Sequence, residues 1–108
     1  MANMWEDFID GVVGDAGILI KDEVNNLLNF AKEDSEEFLS RQGKKIENYL
    51  NQLAENKISK EQFEAYLIDI KDLTELHALK LSVAGRVRAQ RLADGITDII
   101  LGRLLSLI

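Results

Sequence analysis

A chain of 108 residues, 46% apolar and 30% charged, is one domain's length and too apolar to remain disordered. The absence of cysteine excludes disulfides and thiolate metal sites, and with no proline and only seven glycines there are too few turn residues for a sheet protein. An all-α fold is predicted. The net charge of −6 disfavours nonspecific nucleic-acid binding. That charge lies in the first half: residues 1–54 carry eleven acids and five bases, residues 55–108 eight of each.

Residues 1–4 are expected to fray, and Trp5-Glu6-Asp7-Phe8 starts a helix with acids in the first turn, where the macrodipole favours them. This start has no basic segment ahead of an apolar run, so no secretory signal is expected. Gly11, Gly14 and Gly17 each weaken a helix by about 1 kcal/mol relative to alanine. An apolar stripe nevertheless runs through them. It takes Ile9, Val13 and Ala16, then Ile20, Val24 and Leu27, then Ala31, Ser35 and Phe38, then Gln42, Ile46, Tyr49 and Leu53. The steps alternate four, three, four, an eleven-residue repeat on one helix face. The stripe keeps its register, which predicts one helix over about 4–54. A separate N-terminal helix, or a new helix start capped by Ser35, are the alternatives.

A turn is predicted over 55–59. Ser59 with Gln62 three residues on forms a capping box, and Ile58 with Phe63 a hydrophobic staple, so a second helix begins at Lys60. Its stripe has the same steps, from Phe63, Leu67 and Ile70 through Ala89, Leu92 and Ile96 to Leu107. The predicted helix covers about 60–107, with Gly85 its expected kink. An eleven-residue period gives nearly straight helices, each roughly 70 Å long. The short turn makes the two antiparallel, placing Ile9 against Leu104 and Phe30 against Val83 and Ala84. The cations Lys80, Arg86, Arg88 and Arg91 then face Asp22, Glu23 and Glu33, an interhelical strip of weak ion pairs.

No residues are identified for catalysis, cofactor or metal binding, and the chain is read as a non-enzyme. His77 stands alone on the packed face, the acids at 33–37 spread around a helix, and the glycines at 11–17 lack the lysine of a phosphate loop. No apolar run reaches membrane-spanning length; Ile96 to Ile108 is short and holds Asp98 and Arg103. A cytoplasmic location is the expectation.

The two chain ends meet in such a hairpin and are apolar on more sides than one helix can cover. Trp5, Phe8, Val12, Leu19, Leu101, Leu104 and Leu105 are therefore the candidate interface residues. The fold expected is a long antiparallel helical hairpin that dimerises into a four-helix bundle, serving as a self-associating structural or protein-interaction module. A compact three- or four-helix monomer broken near Ser35 and Gly85 is the alternative architecture. The alternative function is lipid- or membrane-surface binding through Trp5 and the C-terminal Leu/Ile cluster. The eleven-residue repeat resembles, in pattern alone, those of lipid-surface proteins such as apolipoproteins, synucleins and phasins. No further motif carries that likeness.

Overall fold

The computed structural model describes residues 4–14 and 16–108; the side chains of Val12, Val13 and residues 16–18 lie outside the description, and with them the expectations placed on Val12, Val13, Ala16 and Gly17. Every regular element among the described residues is helical. In place of one helix over about 4–54 there are three: α1 (Met4–Val13), α2 (Ala16–Lys32) and α3 (Glu37–Ala54). In place of one over about 60–107, α4 (Lys60–Ala78) is followed by α5 (Val83–Gly95). α5 runs on into a π-helical stretch, Ile96–Leu104, and a last turn, Leu105–Leu107. The molecule measures 41 × 23 × 23 Å, which has no room for helices of the expected length.

Each break has a local cause. Gly14 adopts φ 62°, a left-handed conformation that ends α1 and that glycine adopts without steric cost. At the second break Asp34, not Ser35, makes the turn. Its carboxylate accepts the Glu36 amide at 2.9 Å, offering the backbone an alternative to the helical ladder. Ser40 then donates to the Lys32 carbonyl, satisfying the end of α2. Gly43 permits α3 to fold back closely: a Cβ there would sit 2.8 Å from that of Ala31 and 2.9 Å from the Lys32 amide. The third break lies at 79–82, ahead of Gly85, because Ser82 caps α5 by accepting the Gly85 amide at 3.2 Å.

The turn at 55–59 forms as the residues predict. Asn56 takes φ 60°, and the amides of Asn56 and Lys57 bond the carbonyls of Leu53 and Gln52, a Schellman ending. Ser59 Oγ accepts from the Gln62 amide and Gln62 Oε1 from the Ser59 amide, so the capping box is complete. Tyr49 stacks on Tyr66 and Phe38 on His77, which sets α3 antiparallel to α4. The solitary histidine is thus half-buried against a ring.

Helices α2 to α5 pack as successive neighbours, and the π-helical stretch closes the bundle against α2 and α4. Most members of the two apolar stripes face this one core, including Ile20, Val24, Ile46, Phe63, Leu67, Leu92, Ile96 and Ile100. A single chain therefore brings together four helices that the sequence reading drew from two copies. α1 lies on α2 and α3, its Asp10 paired with Lys21 at 2.8 Å. The hydrogen bond to Asp10 raises the Lys21 pKa above its ordinary value. The basic strip also differs from expectation: Arg88 pairs with Asp34, Arg103 with Glu23, and Arg91 lies over the Phe30 ring. Phe30 thus lies beside Arg91 and Ile99 in place of the expected Val83 and Ala84.

Candidate functional site

At the chain ends Met4, Leu19 and Leu107 are exposed, and a shallow groove runs between Leu19 and Leu107, while most of the expected interface residues are covered. Trp5 is 0% exposed, Leu104 and Leu105 are buried, and Phe8 and Leu101 pack half-buried on the core. The chain's own bundle covers these candidate interface residues, because α1 tucks its first turn against α3, where the Trp5 amide donates to Asn51 Oδ1. Of the expected set only Leu19 stands open to solvent among the described side chains. Trp5 Nε1 and Gln42 Oε1 are buried without a partner. Neither joins other polar groups in a cleft.

Exposed apolar side chains gather in greater number at the elbow between α4 and α5. Leu73, Leu76 and Leu79 protrude along the end of α4, and Val83 and Val87 along the start of α5. Leu76, Leu79 and Val83 are 63%, 70% and 76% exposed. Scattered exposed leucines are ordinary, but five large residues on one elbow are not. Two shallow depressions flank the leucines: one is floored by Leu73, Leu76 and Leu79 beside the Phe38–His77 stack, the other lies between Leu76 and Leu79 and Gln90 of α5.

Local sequence explains the surface. The buried faces of α4 and α5 are already filled by Ile70, Thr74, Ala78, Ala89 and Leu92. Thr74 satisfies its hydroxyl on the Ile70 carbonyl. The side chains at 73, 76, 79, 83 and 87 are left pointing away from the bundle. The signal was present in the sequence, since these residues lie off the main stripe, but only the break at 79–82 gathers them on one elbow.

A second groove, of about 290 Å³, runs between α2 and the π-helical stretch, with Leu27, Phe30 and Ile99 below and Arg91 and the Arg103–Glu23 pair at its rim. Gly95 permits this close approach, as a Cβ there would meet Leu27 at 2.5 Å. No nucleophile or acid–base pair converges in it. Among the described residues no group of His, Asp or Glu is arranged to hold a metal ion, and no helix is long and apolar enough to cross a membrane. No protein-family model, curated protein or solved structure matches the chain.

Proposed function

We propose that the chain is a non-enzymatic helical module that associates with its own kind through the α4–α5 face. The observation that carries this reading is the set Leu73, Leu76, Leu79, Val83 and Val87, exposed on either side of the 79–82 break and left open by an otherwise filled core. Full burial of a leucine or valine is worth about 1.5–3 kcal/mol, so covering this set on two copies supplies several kcal/mol towards the entropic cost of association. The self-association expected at the chain ends thus moves to the elbow.

A lipid surface is the other class of occupant for an apolar face. The acids Asp69, Asp72 and Glu75 outnumber the open cations Lys80 and Arg86 around these residues, which disfavours an anionic membrane. A lipid reading draws on Trp5 and the C-terminal Leu/Ile cluster; of these Trp5, Ile96, Ile100, Leu104 and Leu105 lie in the core and Leu107 is exposed.

Light scattering of the wild type and of Leu76→Asp/Val83→Asp tests the proposal. The wild type should approach twice the chain mass at high micromolar concentration, and the variant should stay monomeric with unchanged helicity. A monomeric wild type that floats with vesicles would support the lipid reading instead.

A further inference from the structure

We propose that Glu75 and Arg86 form a reciprocal charge lock that sets how two copies pair. This rests on self-association through the α4–α5 face and adds its symmetry and register. The exposed face of α4 carries Asp69, Asp72 and Glu75. From residue 76 to 93 the chain has no acid, and Lys80 and Arg86 stand exposed there, whereas Arg91 is turned onto the Phe30 ring of α2. Arg88 differs, being engaged by Asp34. The face therefore sets the carboxylates of α4 beside Arg86 at the start of α5, the two helices antiparallel, with Asp94 held by Gln90 at the far end of α5.

Two copies can meet face to face about either of two kinds of twofold axis. An axis running across the helices stacks α4 on the partner's α4, acid on acid. An axis parallel to the helices stacks α4 on the partner's α5, acid on base, twice over. Charge complementarity selects the second and disfavours the first. It also favours a second copy over an unrelated apolar helix, which would have to match both rims at once.

An axis parallel to the helices leaves each residue at its own level along the bundle, and this fixes the register. Glu75 lies three residues before the end of α4, and Arg86 three residues after the start of α5. Glu75 of one copy therefore comes level with the partner's Arg86, and Arg86 with the partner's Glu75. Leu76 falls between the partner's Val83 and Val87, apolar against apolar. Both charges face the groove between α4 and α5. Glu75 borders it with Gln90, and Arg86 reaches across to the Ala78 carbonyl at 3.4 Å. Within one chain Glu75 has a 3.8 Å pair with Lys71, and Arg86 has no carboxylate partner among the described residues.

The test is a charge swap between copies, read by native mass spectrometry on full-length chains of distinguishable mass. Glu75→Arg alone and Arg86→Glu alone should each dimerise at least about tenfold more weakly than the wild type, since two attractions become two repulsions. Mixed in equal amounts, the two variants should form a one-to-one heterodimer of wild-type strength, because both cross-pairs are restored. Circular dichroism of each variant checks that the fold survives; should either fail, Glu75→Gln and Arg86→Gln take their place, each weakening the dimer severalfold and their mixture recovering part of the loss, since it holds one of the two ion pairs. Mixing cannot repair a contact within one chain, so recovery reports only the contact between copies. A wild type that dimerises while the mixture does not recover overturns the lock and its axis, leaving self-association in place. A wild type that stays monomeric overturns both.

Discussion

Arg88 of α5 donates from Nε to Asp34 Oδ2 at 2.8 Å and from its terminal nitrogen to Oδ1 at 3.4 Å, across 54 positions of sequence. The Asp34 side chain is 2% exposed and also holds the α2–α3 turn through the Glu36 amide. One carboxylate thus both reverses the chain and ties the reversal to the far helix. Arg88→Ala leaves that carboxylate buried and unpaired and should cost about 2–3 kcal/mol, discounted because the arginine is partly exposed. Asp34→Ala should cost about as much, and the double variant much less than the two together. Urea denaturation of the four proteins checks this; additive losses would show that the two groups act independently.

Two glycines should respond in opposite directions. At Gly43 an added methyl meets Ala31 and the backbone of Lys32, so Gly43→Ala should destabilise by about 1–3 kcal/mol through overpacking. At Gly11, inside α1, nothing lies within 4 Å of the new Cβ, so Gly11→Ala should stabilise by about 0.5–1 kcal/mol. Thermal melts of the pair separate a glycine required by close packing from one that merely weakens a helix.

The helix starts were unevenly legible. Ser59 and Gln62 stand at capping-box spacing, and the structure begins α4 where they predict. Ser82 offers half of that signal, a cap without the reciprocal side chain, and the break falls there and not at the expected Gly85. Asp34 was harder still. An acid within a charged run looks like a solvated surface, and only the approach of Arg88 from a distant helix makes it a buried turn. The apolar stripes located the core because burial follows periodicity even across breaks: Ala31 and Gln42 are buried on either side of the 33–36 turn. That same continuity concealed the turn. Without the break at 79–82 the sequence offers no elbow between Leu79 and Val83.

Leu104 and Leu76 should therefore give contrasting phenotypes. Leu104→Asp places a charge in the core, where Leu104 is 1% exposed, and should unfold the single chain rather than dissociate folded copies. Leu76→Asp lies on the surface and should leave helicity and melting within about 0.5 kcal/mol of a wild-type monomer, while weakening association. Circular dichroism at submicromolar concentration, below the range of self-association, measures the first property, and sedimentation velocity the second. A folded Leu104→Asp monomer would contradict the packing described.

The capping box offers a calibrated comparison. Ser59→Ala removes the acceptor for the Gln62 amide and should cost about 1 kcal/mol. Ser82→Ala should cost a similar amount at α5 and loosen the elbow that presents Val83. Its self-association should weaken although residue 82 contributes no apolar surface. Equal association by Ser82→Ala and the wild type would show that the elbow does not need its cap.

The location of the contact is tested most directly by carbene footprinting of the full-length wild type across the micromolar range, read residue by residue. Labelling of Leu73, Leu76, Leu79, Val83 and Val87 should fall together as concentration rises, while Met4 and Leu19, exposed far from the elbow, stay constant. Labelling of the elbow residues that does not change with concentration, or protection that appears at Leu19 instead, would contradict the account.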